Sequence, residues 1–406
     1  MKIAIIVTHL SHSSPGSFYR PYEMAKQLTN FKIDNVIYSP YRDDVDRFKD
    51  ISLIEIPIIS QKIGLTNFFE NALRKVIYHK QWAKIINYEY LILKLSDKII
   101  TNMKHSMKTT PDIIQGEQLV ASYAAVKLGI KHKIPIVIDI HNIWAEELVA
   151  NGIIKTESKS FKNLIKLEKY VIDNSDKIIV VSEYLKNYLV ENLDCNKKKI
   201  SIIPPGANIH FEHNNDSLTE KISAKKIIYA GLVNPREHVD LFVNSIPYIT
   251  SKFPKTQYYI SKKGESFSQI SDLCKNLTIK PHFFWYKSRE KARELIKQSY
   301  IGALPSRNDL PRKLGTPLKL MEYLSYGLPV VANDVGSWCD IIEKNNVGIL
   351  TNDSPKDFAE GINKLLEDES LYKTMRNNIS NLVCNKLNWK TLVQNRLIPL
   401  YNNLIS

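Results

Sequence analysis

The chain has 406 residues, 44% of them hydrophobic and 24% charged, which is typical of a soluble globular protein with two or three domains. Basic residues outnumber acidic ones by 56 to 42, and the resulting net charge of +14 predicts a surface that attracts anionic partners. The basic residues are dispersed and follow no zinc-finger or RNA-recognition pattern, so we do not expect nucleic acid as a partner.

Zinc, disulfide and membrane-spanning classes are also disfavoured. The four cysteines show neither CxxC nor Cys/His spacing. No run reaches the roughly 18 apolar residues that a spanning helix needs. The start, KIAIIVTHL, lacks the successive charged, apolar and small-residue regions of a signal peptide. We therefore expect a cytoplasmic protein.

The N-terminal residues predict a strand, a turn and a helix. Residues 1–10 form an apolar run, Gly16 supplies a tight turn, and residues 18–28 have a helical pattern. The GxGxxG fingerprint of dinucleotide binding is absent. Arg20 is interpreted as a solvated residue at the helix start in preference to a ligand contact. Residues 44–46, DVD, have the spacing of a metal-binding pair, but their place in an early loop favours a chance match.

Residues 64–107 are rich in basic and aromatic side chains. Between residues 65 and 77 apolar residues recur at helical spacing, and basic residues occupy the other face. Such a helix can lie in a membrane interface. Alternatively, its apolar stripe packs on the domain core and its lysines are solvated. The sequence leaves both interpretations open.

A histidine follows the next well-defined strand. Residues 134–140 predict a buried parallel strand, and His141 comes directly after it. A side chain at that end of a parallel strand points toward a ligand site, although a packing histidine is the alternative. Further on, residues 177–181 predict a strand with Ser182 as the N-cap of the next helix. The Pro-Pro-Gly run at 204–206 breaks the chain.

A second series of strands and helices follows a polar stretch. Residues 208–225 are low in apolar residues, which is typical of a linker. The most informative part of the second series is 304–340. There a strand and a polar loop precede a short helix, 317–325, and a turn at Gly327 leads to another strand, 329–332.

The start of this short helix has the chemistry of a phosphate site. Cations, a flexible turn and a carboxylate surround it: Arg307, Arg312, Lys313 and Lys319, then Gly315, Thr316, Pro317 and Leu318, and finally Glu322. Unpaired N–H groups and the positive end of the helix dipole favour an anion there. Pro317 suits the first helical position, and the carboxylate can accept hydrogen bonds from a ribose. The pattern indicates a site for a nucleotide diphosphate.

These residues carry a family resemblance. The segment PLKLMEYLSYGLPVVANDVGS resembles the nucleotide-sugar segment of retaining glycosyltransferase family 4. The likeness continues in DIHNIWAEELVANGI, in the VVSE and IPPG segments and in the last helix, so it extends over nearly the whole chain. It implies an α/β protein of the GT-B fold, with two Rossmann-like parallel-sheet domains facing each other across a cleft.

The implied domains follow from the same resemblance. Residues 1–207 would form the acceptor-side domain and residues 208–385 the nucleotide-sugar domain. Residues 386–406 would form a C-terminal helix that crosses back to the first domain.

The resemblance also implies site residues. Glu322 would bind the donor ribose, and the amides of residues 315–318 the diphosphate. His141 would position the donor sugar, and Lys319 would stabilise the leaving diphosphate, so these two are the expected catalytic residues. The remaining expected donor contacts are Gly16, Arg236 and Arg312.

Three positions depart from the family pattern. Leu314 stands where many members carry a Glu that faces the donor sugar. Leu232 replaces a diphosphate-binding Arg, and Glu237 replaces a Lys. Arg236 is the expected substitute for the lost cations, and Asp309 or the amides around residue 315 for the lost Glu.

The resemblance implies a retaining hexosyltransferase that moves a sugar from a nucleotide-diphosphate-sugar donor to a glycan or lipid-linked acceptor. The implied pathway is synthesis of a cell-surface polysaccharide or glycoconjugate, with no metal and no cofactor other than the donor substrate. Peripheral contact with an anionic membrane, at the inner face of the cell membrane, would suit a lipid-linked acceptor.

Two other functions remain alternatives at this point. The three departures favour a non-catalytic GT-B protein that binds a glycan or joins a glycan-building complex. An epimerase of GT-B type would need paired carboxylates, which the sequence alone does not identify.

Overall fold

A computed structural model describes residues 1–8, 15–39, 50–56, 87–107, 109–210, 224–285 and 289–405. The DVD sequence at 44–46, the amphipathic run at 65–77 and most of the predicted linker lie outside these ranges. The described chain divides into two compact units. The first comprises Met1–Pro204 together with Trp389–Ser406, and the second Pro205–Asn388.

The strands and helices alternate along most of the chain. The strands are β1 (Lys2–Ile6), β2 (Asp34–Ser39), β3 (Leu53–Glu55), β4 (Ile113–Glu117), β5 (Ile136–Ile140), β6 (Lys177–Val180), β7 (Ile200–Ile202), β8 (Lys226–Tyr229), β9 (Gln257–Ser261), β10 (His282–Phe284), β11 (Ile301–Leu304), β12 (Val330–Asn333) and β13 (Gly348–Thr351). The helices are α1 (Pro15–Asn30), α2 (Tyr88–Ser106), α3 (Gln118–His132), α4 (Trp144–Ala150), α5 (Lys159–Asp173), α6 (Glu183–Leu193), α7 (Val239–Lys252), α8 (Phe267–Asn276), α9 (Arg289–Gln298), α10 (Leu310–Leu314), α11 (Leu318–Ser325), α12 (Cys339–Lys344), α13 (Pro355–Glu367), α14 (Glu369–Leu382), α15 (Trp389–Leu392) and α16 (Ile398–Ile405).

Each unit is built on one parallel sheet. The first sheet has seven strands in the order β3-β2-β1-β4-β5-β6-β7, and the second has six in the order β10-β9-β8-β11-β12-β13. All of the paired strands in both sheets are parallel. In each sheet the strand order reverses beside the first strand of the unit, and ligands bind outside the carboxyl ends of strands at such a reversal. The two-domain parallel α/β fold that the sequence predicted is confirmed.

The sequence explains why the helices begin where they do. Helix α5 begins at Lys159 because the Ser158 side chain caps it by accepting from Phe161 N at 3.2 Å. Ser182 caps α6 in the same way, as predicted. Gly16 lies inside α1 and not in a turn before it, so the predicted position of the turn is wrong.

The C-terminal segment completes the core of the first unit. Trp389, Leu397 and Tyr401 are fully buried among residues of β1, α1 and β4. Two π-helical segments, Val383–Leu387 and Val393–Leu397, interrupt the helices that lead to the C-terminus. Among the described residues, no helix combines the length and the hydropathy needed to cross a lipid bilayer.

Truncation of the buried Leu397 side chain tests this contribution of the C-terminal segment. We expect Leu397→Ala to lower the free energy of unfolding of the first unit by about 2–5 kcal/mol, because it leaves a cavity in a fully packed core. Urea unfolding followed by circular dichroism measures the change. Ile405→Ala is the matched control: Ile405 is 46% exposed, and its loss should stay within about 0.5 kcal/mol. Equal small effects at both positions would contradict the assignment.

Candidate functional site

Helix α11 begins with an open N-terminus after strand β11. Pro317 is its N-cap, with φ −68° and ψ 127°, and its side chain makes no capping hydrogen bond. The predicted place of Pro317 at the first helical position is wrong by one residue, because its ψ is extended. The amides of the first turn are therefore suited to an anion.

The buried Tyr323 holds α11 against the second sheet. Its hydroxyl accepts a hydrogen bond from Ala230 N at 2.8 Å, directly after β8. A Cβ at Gly302 would lie 2.5 Å from the Tyr323 ring, so the glycine lets the ring approach the sheet. This packing brings Lys319 near the residues that follow β8.

Lys319 and Arg312 bind one carboxylate, that of Glu237, in the turn after β8. The Lys319 ammonium contacts Glu237 Oε2, and the Arg312 guanidinium contacts Oε1. The Tyr229 hydroxyl donates to the Leu232 carbonyl oxygen at 2.5 Å and accepts from Lys319 Nζ at 3.1 Å. Glu237 is only 8% exposed. The Glu that replaces the family's Lys therefore places an anion between two cations.

The charges in this cluster are strongly coupled. Burial alone would raise the pKa of Glu237, but Lys319 and Arg312 lower it to about 2. Burial lowers the pKa of Lys319, and the Glu237 carboxylate opposes that shift. The absence of a side chain at Gly231 leaves room for the Lys319 side chain, since an added Cβ would lie 2.5 Å from Lys319 Cδ. Two cations and one carboxylate leave the cluster with one net positive charge.

Arg236, the predicted substitute for the missing cations, binds Asp309. Its Nε and Nη2 donate to the two carboxylate oxygens of Asp309 at 2.8 and 2.9 Å. Asp309 also accepts from Arg312 N at 3.0 Å and is the N-cap of α10. The sequence predicted a continuous loop here. That prediction is wrong at α10, because the Asp309 cap and the early Pro311 favour a short helix.

The other predicted donor contacts of the second unit lie between the end of α10 and the second turn of α11. Gly315 is the C-cap of α10, and Leu318 is the first residue of α11. Within the described residues, the buried Oγ1 of Thr316 and Nε of Arg312 have no hydrogen-bond partner. The Glu322 side chain is 26% exposed, with Arg293 Nε 4.0 Å from its carboxylate.

A second charged cluster lies at the carboxyl ends of β4 and β5 in the first unit. His141 Nε2 lies 3.2 Å from Glu117 Oε2 and 3.2 Å from Asp139 Oδ1. Arg20 Nε donates to Asp139 Oδ2 at 2.8 Å, and Arg20 Nη1 donates to the Pro204 carbonyl oxygen at 3.1 Å. Arg20 is 2% exposed, so its interpretation as a solvated residue is wrong.

This cluster extends to the C-terminal helix. Gln115 Nε2 donates to Glu117 Oε1 at 2.8 Å, and the Tyr401 hydroxyl donates to Gln115 Oε1 at 2.5 Å. No local sequence signal marked Gln115, Glu117 or Asp139 as site residues. Alternation within β4 puts Gln115 and Glu117 on one face, but the pairing of Glu117 with Asp139 depends on the register of β4 and β5.

The charged groups of this cluster shift one another's pKa values. Burial alone would lower the pKa of His141, but Asp139 and Glu117 raise it to about 9. Burial raises the pKa of Glu117, and Asp139 adds to that shift. Burial alone would raise the pKa of Asp139 too, but Arg20 and His141 hold it below its ordinary value. The imidazole is therefore a cation at neutral pH.

Three side chains of this cluster also offer ligand atoms that could hold a metal ion. Ligand atoms of Glu117, Asp139 and His141 all lie within 4.8 Å of one another. Arg20 and the protonated imidazole compensate the charge of the two carboxylates, while Glu117 Oε2 and Asp139 Oδ1 have no hydrogen-bond partner within the described residues.

The structure thus divides the predicted site residues between the two units. Lys319 and Arg312 meet at one carboxylate, beside the turn that carries Thr316 and the start of α11. His141 lies at the end of β5 and Gly16 in α1, both in the first unit.

Solved structures that match the whole chain are similar in fold. HepE of Anabaena in complex with UDP matches with a TM-score of 0.72 and 12% identity, over 100% of both chains. A glycosyltransferase of Rickettsia africae matches with a TM-score of 0.70 and 17% identity, over 100% of this chain and 98% of its own. The S. aureus TarM structure with fondaparinux, α-GlcNAc-glycerol and UDP gives a TM-score of 0.70 and 14% identity, over 99% and 100%. The fold is that of the GT-B glycosyltransferases.

Sequence comparison gives the family. The model of Glycosyltransferase Family 4 matches residues 20–211, and that of Glycosyl transferases group 1 matches residues 211–382. An uncharacterized glycosyltransferase of Methanocaldococcus jannaschii is 25% identical, over 84% of this chain and 90% of its own. The D-inositol 3-phosphate glycosyltransferase of Corynebacterium kroppenstedtii is 23% identical, over 57% and 54%. The two models together match residues 20–382, so the chain is a glycosyltransferase of the hexosyltransferase type, as the resemblance implied.

The charge of His141 should appear in the pH dependence of stability. Its pKa rises from the ordinary 6.5 to about 9 on folding, so its stabilising effect is complete below pH 6.5 and is lost as the pH rises through about 9. We expect His141→Gln to destabilise the protein most at pH 6 and progressively less toward pH 9.5. Urea unfolding at a series of pH values measures this.

The same substitution at the exposed His132 controls for loss of an imidazole as such. A His141→Gln effect that is constant from pH 6 to 9.5 would show that His141 does not bear a charge stabilised by Glu117 and Asp139.

Proposed function

We propose that this enzyme is a retaining glycosyltransferase that uses a nucleotide-diphosphate-sugar donor. The single observation that carries the proposal is the pair of cations, Lys319 and Arg312, beside the uncapped start of α11, with Glu322 on the same helix. The proposed acceptor is a glycan or a lipid-linked glycan, and the proposed pathway is synthesis of a cell-surface polysaccharide or glycoconjugate. The solved structures of HepE and TarM with UDP support the donor class by analogy.

The residues have the following proposed roles. Lys319, Arg312 and the amides at the start of α11 stabilise the charge that develops on the leaving diphosphate, and such electrostatic stabilisation is usually the largest single contribution in sites of this kind. Glu322 accepts hydrogen bonds from the donor ribose. His141, as an imidazolium, positions the donor sugar by hydrogen bonding. We propose that no metal, no additional cofactor and no covalent nucleophile takes part.

The departures from the family pattern affect the sugar and phosphate contacts. Leu314 is 3% exposed, so it packs in the protein and cannot serve as the polar contact that the family's Glu provides. Leu232 is 45% exposed where the family has Arg. Asp309 is occupied as the N-cap of α10 and as the partner of Arg236, so we assign the replacement sugar contacts to the amides around Gly315.

Substitution of Glu322 tests the donor site directly. We expect Glu322→Ala to weaken binding of the matching nucleotide, UDP or GDP, at least tenfold, because two hydrogen bonds to a ribose are lost. Isothermal titration calorimetry measures the dissociation constant. A panel of UDP- and GDP-sugars with mass spectrometric detection then tests turnover, and the anomeric configuration of the product tests retention.

Glu343→Ala, on the exposed face of α12, is the control for loss of a surface carboxylate. Unchanged affinity of the Glu322 variant would remove the ribose role. Absence of both transfer and donor hydrolysis by the wild-type enzyme across the panel would contradict the donor class.

We further propose peripheral contact with an anionic membrane. The net charge of +14 supports this proposal. So does α2, where Tyr90 is 59% exposed and Lys94 Nζ lies 5.5 Å from the centroid of its ring. Aromatic and basic side chains together favour the interface of an anionic bilayer.

Vesicle flotation tests the membrane contact. At low salt we expect the protein to float with phosphatidylglycerol vesicles and to remain at the bottom of the gradient with phosphatidylcholine vesicles. Salt at 0.5 M should release it, since the attraction is electrostatic. Tyr90→Ala should reduce the floating fraction, whereas Tyr248→Ala, at the similarly exposed Tyr248 of α7, serves as the control. Failure to float at low salt would contradict the membrane proposal and would leave the proposed donor site unaffected.

A further inference from the structure

Glu237 is a buried carboxylate to which the proposed mechanism gives no role. Both of its oxygens are taken by cations, Oε1 by Arg312 and Oε2 by Lys319. It belongs to the short 3-10 turn Pro235–Glu237 after β8, and its residue type is opposite in charge to the one that the family resemblance implies there. Two functions fit such a group: it competes with the diphosphate for the cations, or it positions them.

The remaining donors of the two cations favour positioning. The Tyr229 hydroxyl gives its proton to the Leu232 carbonyl oxygen, so toward Lys319 Nζ it is an acceptor. An ammonium has three N–H groups. Within the described residues Tyr229 and Glu237 use two of them, which leaves one for a phosphate oxygen. A phosphate can therefore bind Lys319 without displacing the carboxylate.

Arg312 leads to the same conclusion. Its Nη2 is used by Glu237, while its buried Nε has no hydrogen-bond partner within the described residues. A buried guanidinium N–H without a partner is costly and is commonly satisfied by a ligand. The fixed planar geometry of a guanidinium means that a partner at Nη2 also sets the direction of Nε. Glu237 thus orients the donors that remain available.

Glu237 also opposes the loss of the lysine's proton. The charged or titratable groups that face Lys319 are Glu237 from the turn, Tyr229 from β8 and Arg312 from α10, and the Tyr229 ring centroid lies 4.8 Å from Nζ. Burial and the neighbouring Arg312 both lower the pKa of Lys319. Of the groups named, only Glu237 is a carboxylate, and it counteracts both.

We propose that Glu237 is a positioning residue that keeps Lys319 protonated and directs Lys319 and Arg312 together toward the donor diphosphate. This inference rests on the proposed function, because it assigns the cations to that ligand. Beyond the proposed function, it states that the negatively charged Glu237 is required for binding of the negatively charged diphosphate. The net positive charge of the three groups together is what the diphosphate meets.

The experiment compares the pH dependence of nucleotide binding in three proteins. Dissociation constants of UDP and GDP are measured by calorimetry between pH 7 and pH 9 for the wild type, Glu237→Gln and Glu237→Asp. The ratio of variant to wild type at each pH cancels the titration of the nucleotide itself. Glu265→Gln, at an exposed glutamate in the second unit, is the matched control.

The two variants separate charge from geometry. Glu237→Gln removes the charge that holds the lysine's proton, so we expect its ratio to the wild type to rise between pH 7 and pH 9, toward the limit of about tenfold that a downward pKa shift of one unit sets. Glu237→Asp keeps the charge but cannot span both cations, so its ratio should be raised and independent of pH. Thermal unfolding at each pH shows whether the variants are folded. If Glu237→Gln is unfolded, the affinity of Glu237→Asp alone tests whether Glu237 positions the two cations.

The possible results differ clearly. A Glu237→Gln ratio that does not change with pH overturns the protonation role, and tighter binding by this variant at every pH shows that Glu237 competes with the ligand. A wild-type protein that binds neither nucleotide contradicts the proposed function itself, and with it this inference. Wild-type binding together with unchanged variants contradicts the inference alone.

Discussion

Parallel strands place all of their carboxyl ends on one edge of a sheet, and the charged clusters of both units depend on this constraint. In the first unit, β4 ends at Glu117 and its register partner Asp139 lies in β5, so two acids from distant parts of the chain become neighbours. In the second unit, the turn after β8 meets the segment after β11, which brings together Glu237 and Lys319 across 82 residues. Both clusters therefore join residues that are distant in the sequence.

The two clusters balance buried charge differently. The first has two carboxylates, and Arg20 and His141 compensate them. The second has two cations that share the Glu237 carboxylate, which leaves an excess of positive charge. Removing one member of such a buried group leaves its partner uncompensated, which typically costs about 3–5 kcal/mol. The second cluster is therefore the one suited to an anionic ligand, while the first is suited to fixing the orientation of His141.

Local signals in the sequence predicted much of this architecture. Ser182 was recognisable as an N-cap, and Gly327 has the positive φ of 68° that its predicted turn requires. The family motifs located the start of α11 and the position of Glu322. These features depend on a few neighbouring residues, so a single sequence contains the necessary information.

The contacts that the sequence did not reveal are long-range. Arg20 was interpreted as solvated because its partner, Asp139, is 119 residues away and is reached only through the strand order of the first sheet. In the sequence, Glu237 was only a departure from the family pattern. Its role was hidden because the two cations that it binds, Lys319 and Arg312, belong to a later segment of the chain. The short helix α10 was missed because its cap, Asp309, was considered as a ligand contact.

The return of the chain to the first unit has a consequence for its biosynthesis. Tyr401 donates to Gln115 across 286 residues, and Trp389 and Leu397 cover the same core. At about 5–20 residues per second, the ribosome needs roughly 10–40 s to pass from residue 204 to residue 406. During that interval the nascent first unit lacks the segment that covers its apolar core, and the last strand of the second sheet, β13, is synthesised before that segment. The unit whose synthesis begins first is thus the last to receive its complete core.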